Sequence, residues 1–289
     1  NHLMDIYVKK AIIHQFSPDD TDLYLADKLL NITPKIEEYL RKKIERVYSD
    51  EARTGIFEED NPFLEMISDD LLETSVAVAN RWKEEFVVSE NQKTNDLVFI
   101  QFSKEGVDHF AFLRIALRET LTHLGGEVDN PIKLTQNNLP GFGTGADEAL
   151  VINLQSRKYH LIEKRIKYNG TFLNYFSENL LQAQPKISPK KSIKALEKTA
   201  QKIAESFNTD DFQFQSKVKS AIFNHIEEEN KLSPEKLADD LFNDNLTARL
   251  SFIDQVKEAV PEPVTFEEID ASRQLKKFEN QKLSLSNGI

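Results

Sequence analysis

The sequence predicts an α+β fold. Antiparallel strands and helices share an N-terminal lobe over residues 4–180, and a mainly helical C-terminal lobe over residues 181–289 ends on a strand. Three observations carry this reading. Apolar and polar residues alternate in DIYVKKAIIHQF, the period of a half-buried strand, and LVFIQF and VDHFAFLRIAL flank a short glycine-containing loop as the strands of a hairpin. From Gly170 onward five successive stretches change to helical periodicity. Ser188-Pro189 and Ser233-Pro234 each set a capping hydroxyl before a proline, whose missing N–H costs nothing in a first helical turn.

Asn1-His2-Leu3, ahead of Met4, reads as the remnant of a cleaved tag and stands outside the fold. DIYVKKAIIHQF is the first strand, and LYLADKLL, after the turn Ser17-Pro18-Asp19-Asp20, is its hairpin partner. Thr33-Pro34 starts a helix through IEEYLRKKIERVY, which gathers Ile36, Leu40, Ile44 and Val47 on one face. Asn61-Pro62 starts a further helical stretch, and SVAVANRWKEEF stays helical to about Phe86. Lys104-Glu105-Gly106 joins the next two strands in a short hairpin loop, with glycine free to take a left-handed conformation. In the second half GTFLNYFSENLLQA, SPKKSIKALEKTAQKIAESF, DFQFQSKVKSAIFNHIEEE, SPEKLADDLF and LTARLSFIDQVKEAV all read as helical. KKFENQKLSLSNGI returns to strand-like alternation and stops without a turn or cap, as if an element had been cut.

Composition narrows the chemistry. No apolar run reaches the roughly 20 residues of a membrane helix, so the expected protein is soluble and cytoplasmic with no membrane partner. The absence of cysteine removes disulfides, thiolate metal sites and cysteine nucleophiles. The six histidines never fall at H-x-x-x-H spacing, so no metal site is expected. One stretch invites a nucleotide reading: PGFGTGADEALVINL holds Gly141, Gly143 and Ala146 as G-x-G-x-x-A. A dinucleotide fingerprint needs a strand before the glycines and a helix after them. Here the turn-rich KLTQNNLP precedes, the β-rich ALVINL follows, and Asp147 and Glu148 would repel a phosphate. The loop reads as a connection into a strand. With no G-x-S-x-G and acidic pairs too common to single out, no enzyme and no cofactor are expected.

Charge is distributed unevenly. The net charge is −11, yet residues 156–202 hold eleven Lys or Arg against three Glu, which is +8 and leaves −19 for the other 242 residues. An acidic protein of this kind presents one basic surface to a polyanion. Lys190, Lys194, Lys198 and Lys202 recur every four residues along one helix, and Lys191 joins Lys190 in its first turn. Like charges at that spacing repel, and the helix dipole disfavours cations at an N-terminus, so local stability does not explain them. A phosphate meeting free N–H groups at that N-terminus would turn both penalties into attraction. Arg157, Lys158, Lys164, Arg165 and Lys167 add bases interleaved with Tyr159 and Tyr168, a pattern that also suits the outer side of a strand. No helix here shows a base-reading pattern, so contacts to double-stranded DNA are expected through the phosphate backbone with weak sequence preference. The acidic remainder suggests the alternative, an adaptor whose acidic surface recruits a basic protein without touching DNA.

In order along the chain, MDIYVKKAIIHQF, LYLADKLLNIT, ERVYSDEARTGIFEED, HFAFLRIALRETLTHL, EALVINLQSRKYHLIEKRIKY and SRQLKKFENQKLSLSNGI resemble the bacterial nucleoid-associated protein family called NdpA. The resemblance spans nearly the whole chain and rests on the order of fold-wide patterns. It implies a cytoplasmic protein found with the bacterial chromosome, taken to bind DNA, with no established enzymatic activity and no defined catalytic residues. It also implies association with a type II topoisomerase, the kind of basic partner the adaptor alternative requires, and leaves room for a homo-oligomer. Members of the family continue with a further strand-like tail, so the chain is expected to be truncated after Ile289.

Overall fold

A computed structural model describes residues 4–86, 93–126, 129–168 and 170–266. The fold is α+β, with strands concentrated in the first part of the chain and helices in the last. The chain forms two compact units: residues 1–47 with 54–186, and residues 48–53 with 187–289.

The first unit is built on a seven-stranded sheet in the order β2-β1-β4-β5-β8-β9-β3. Its strands are β1 (Ile6–Ser17), β2 (Asp22–Tyr24), β3 (Arg53–Ile56), β4 (Asn95–Lys104), β5 (Val107–Ala116), β8 (Glu148–Asn153) and β9 (Lys158–Ile162). The pairings from β2 through β9 are antiparallel. The opening hairpin forms as expected, but its second strand stops at Tyr24; beyond it the Ala26 N–H donates to His14 Nδ1 and the Leu30 N–H to the Ala11 carbonyl, outside any ladder. Between β4 and β5 the two-residue turn puts Glu105 (φ 53°) and Gly106 (φ 78°) in the left-handed region, as a type I′ hairpin requires.

The central strands are buried on both faces, so they read as apolar runs more than as clean alternation. Ile12, Leu97, Phe99, Phe110, Phe112, Leu150 and Ile152 share one core with Val78, Ala79 and Trp82 of helix α3 (Leu71–Glu85). Helix α1 (Pro34–Val47) buries Leu40, Ile44 and Val47, with Ile36 partly covered. The short helix α2 (Pro62–Glu65) is capped by Asn61, whose side chain accepts from the Phe63 and Leu64 amides.

Two expectations fail in this unit for reasons of long-range pairing. Residues 133–138, part of the stretch read as turn-rich, lie in strand β7 (Ile132–Asn138), which pairs with β6 (Arg118–His123) in a separate two-stranded ribbon. The stretch GTFLNYFSENLLQA is helical only from Phe176 to Leu180, as a π-helical turn. Its β-forming start, β11 (Thr171–Leu173), instead folds back on β10 (Ile166–Tyr168) through Gly170, at φ 78°.

The second unit packs helices α4 (Pro189–Ser206), α5 (Phe214–Glu229), α6 (Pro234–Phe242) and α7 (Leu246–Val256). Ile193, Leu196, Ile203, Val218, Ile222, Leu237, Leu241 and Phe252 fill its core. Ser188 and Ser233 cap α4 and α6 as the sequence signals require, accepting from the Lys191 and Lys236 amides. The pair β12 (Lys231–Leu232) and β13 (Val264–Thr265) closes the unit. The expected strand in KKFENQKLSLSNGI lies outside the described residues. No described helix is long and apolar enough to cross a membrane.

Candidate nucleic-acid interface

Helix α4 places the basic row by simple periodicity. Ser192, Ile193, Leu196, Ala200, Ile203 and Ala204 are buried, so the positions between them face solvent. Lys191, Lys194, Lys198 and Lys202 are exposed, and none makes an ion pair within 4 Å among the described residues. Lys190 differs. Its Nζ lies 2.8 Å from Glu51 Oε1, and that carboxylate holds the ammonium pKa above its ordinary value.

The start of α4 corrects the expectation that a phosphate finds free amides there. Pro189 has no N–H, the Lys190 N–H donates to the Asp50 carbonyl at 2.8 Å, and the Lys191 N–H donates to Ser188 Oγ. The first turn is saturated by the fold, so any anion-binding capacity of α4 resides in its side chains.

Packing of α4 against α5 adds a residue that the sequence did not single out. Lys194, Lys198 and Lys202 line an open groove of about 570 Å³ together with Lys219 of α5, over an apolar contribution from Val218. Glu197 and Glu205 also border it, so the groove is basic without being uniformly so. Burial raises the Glu197 carboxyl pKa, an effect that Lys219 and Lys194 oppose. Gln201 donates through Nε2 to Glu205 Oε1 at 3.2 Å. Lys219 sits in the unremarkable run KVK, and only the α4–α5 packing reveals its position.

The bases of residues 157–167 belong to the first unit and are used differently. Arg157 takes a left-handed backbone conformation (φ 63°), and its Nη1 donates to the Phe57 carbonyl at 2.7 Å while Nη2 approaches Glu59 at 3.7 Å. Lys164 Nζ pairs with Asp147 Oδ1 at 2.8 Å. Burial pushes the Asp147 carboxyl up, but Lys164, the Ala116 amide and Arg114 together outweigh it and hold the pKa low. Lys158 and Arg165 remain exposed. Lys167 enters β10 opposite Phe172.

The glycine loop has a structural partner. A strand, β7, does precede it, against expectation, but β8 follows where a nucleotide fold would need a helix. The side chain of Lys43, buried in α1, donates to the carbonyls of Gly141 (2.6 Å) and Thr144. Tyr39 donates to the Pro140 carbonyl at 2.7 Å and packs edge-on against Phe142. Desolvation, aided by Arg46 and Arg118, lowers the Lys43 amine to about 8. Cationic and hydrogen-bonding contacts from α1 thus fold the loop down, with its carbonyls turned toward a cation, the reverse of a phosphate cradle. Among the described residues no three His, Asp or Glu side chains gather as a metal site would require.

No curated protein matches the sequence. The family model described as nucleoid-associated protein YejK matches residues 12–289, and the chain belongs to that family of nucleoid-associated proteins.

Proposed function

We propose that this chain is a non-enzymatic nucleoid protein of the bacterial cytoplasm that holds double-stranded DNA by its phosphate backbone, with weak sequence preference. The observation that supports this reading best is the exposed row Lys191, Lys194, Lys198 and Lys202 on α4, which meets no carboxylate within 4 Å among the described residues, in a chain whose net charge is −11. Four ammonium groups on one helix face repel one another unless an anion answers them. Lys219, across the groove from the row, adds a fifth cation, and the exposed Lys158 and Arg165 are auxiliary contacts from the first unit. Arg157, Lys164 and Lys190 are occupied within the fold and contribute less.

Binding of the protein to a random duplex across a salt series tests this. Each phosphate contact contributes a slope of about −0.9 in log affinity against log salt. Reversing Lys194, Lys198 and Lys202 to Glu together is expected to abolish binding at moderate salt. Unchanged affinity would overturn the site. Failure of the unaltered protein to bind at low salt would favour the adaptor reading, with the acidic surface as the functional one.

A further inference from the structure

Three polar residues run along the groove side of α4, one turn apart. Glu197, Gln201 and Glu205 follow one another at four-residue spacing, which stacks them on one helix face, and all three line the groove between α4 and α5. The middle residue sets the logic of the row. Gln201 donates through Nε2 to Glu205 Oε1 at 3.2 Å, so its amide carries the oxygen on the side away from Glu205. That oxygen, Gln201 Oε1, is buried and accepts no hydrogen bond from any described residue. Turning the amide over would set Oε1 against a carboxylate oxygen that has nothing to donate. A buried acceptor left in this way is costly, and the donor it lacks stands one turn away in a single protonation state. An ionised Glu197 only accepts, whereas its neutral carboxyl carries an O–H for the residue four positions on.

The surroundings of Glu197 hold its two states in balance. It is partly buried, which favours the neutral acid, while Lys194 on α4 and Lys219 across the groove on α5 favour the carboxylate. The other charged groups of the groove are Lys198, Lys202 and Glu205, all on α4, and no residue of α6 or α7 lines it. A phosphate seated among these lysines neutralises the field that keeps Glu197 ionised, and it adds negative charge beside the carboxylate. Both effects favour the neutral acid, which no longer repels the phosphate. We propose that Glu197 couples the groove to protons: its carboxyl takes up a proton from solvent as duplex phosphates enter, and holds it in a hydrogen bond to Gln201 Oε1. The coupling rests on the reading of this groove as the DNA site. The complex then carries more protons than its free components, so affinity falls as pH rises, by up to about tenfold per pH unit for one proton.

Calorimetric titration of the full chain with a random duplex, at fixed salt from pH 5 to 8 and in buffers of different ionisation enthalpy, reads affinity and proton uptake together. The unaltered chain is expected to take up a proton within this range and to bind more weakly towards pH 8. Glu197→Gln, whose amide N–H can serve Gln201 at every pH, is expected to remove most of the uptake, flatten the profile and bind several-fold tighter at pH 8. Gln201→Met keeps the carboxyl but takes away its acceptor, and is expected to lower the uptake while the helical circular dichroism stays native. No duplex binding by the unaltered chain at low salt would overturn the DNA site and the coupling together. Binding with a flat pH profile, or a profile that Glu197→Gln leaves equally steep, would overturn the coupling alone. Weaker binding by Glu197→Gln at every pH would also overturn it, making the carboxylate a contact instead of a competitor. Uptake unchanged in Gln201→Met would overturn the hydrogen bond.

Discussion

Residues 157–167 and helix α4 each carry five bases, yet the two stretches present very different charge to solvent. In the first, Arg157 is drawn onto the Phe57 carbonyl and Lys164 onto Asp147. In α4, among the described residues, Lys190 alone finds a carboxylate within 4 Å, and the other four lysines stay exposed. The difference arises from backbone geometry. A helix satisfies its own amides and carbonyls and projects every residue off the apolar stripe into water, whereas strands and their turns run beside other segments whose carbonyls and carboxylates capture nearby bases. Basic residues counted along a sequence therefore overstate the charge available to a ligand wherever the chain is sheet-like.

The most severe way to probe captured charge is to break the pair that the fold buries completely. Arg114 Nε lies 2.5 Å from Glu148 Oε1, Arg114 Nη1 donates to Asn95 at 2.9 Å, and Tyr175 also donates to Glu148. Glu148 is fully buried, and desolvation raises its pKa even though Arg114 opposes the shift. Removing one partner of such a pair leaves an uncompensated charge, at a cost of about 3–5 kcal/mol. Glu148→Ala is expected to destabilise the first unit by that order. Urea unfolding followed by Trp82 fluorescence measures it, because Trp82 lies in this unit and donates to Tyr175 at 3.2 Å. A loss below about 1 kcal/mol would mean that Arg114 finds other support.

A matched pair of single substitutions sharpens the contrast at smaller magnitude. Arg157→Met removes a charge-assisted hydrogen bond and is expected to cost about 1–2 kcal/mol of stability by the same fluorescence measurement. Duplex affinity should hardly change. Lys198→Ala is expected to do the reverse, leaving stability within about 0.5 kcal/mol and lowering the salt slope by about 0.9. If both substitutions weaken DNA binding equally, availability does not separate the two stretches.

What the sequence disclosed follows the same division between local and long-range. The start signals Asn61-Pro62, Ser188-Pro189 and Ser233-Pro234 act within one turn, and all three begin helices with the capping bonds expected. The turn at Glu105-Gly106 was legible for the same reason. Strand β7 was not, because its end, Asn137-Asn138 before Leu139-Pro140, reads as a turn, and IKLTQNN pairs only because β6 lies beside it. Strand β11 was hidden within a helix-like period until Gly170 turned it back on β10. At the candidate site the exposed face of α4 was readable from spacing alone. The capture of Arg157 by a residue 100 positions away, the closed amides of the first turn, and Lys219 across the groove depend on packing that no local pattern encodes.

Lys43 provides the gentlest test, since its charge is captured by carbonyls instead of a carboxylate. Its amine titrates near 8 in the fold, against 10.5 in an ordinary lysine. Between those values the unfolded chain holds the proton that the folded chain has released, so this group makes stability rise with pH. Tyr39, raised from 10 to about 12 chiefly by burial, acts in the opposite sense, favouring the fold below pH 10 and losing that contribution above it. The informative window is therefore pH 8 to 10. Urea midpoints from Trp82 fluorescence are expected to climb across it in the unaltered chain relative to Lys43→Met, which has no proton to release. If the two profiles run parallel, the amine keeps its charge in the fold, and the carbonyls of Gly141 and Thr144 solvate it well enough to replace water.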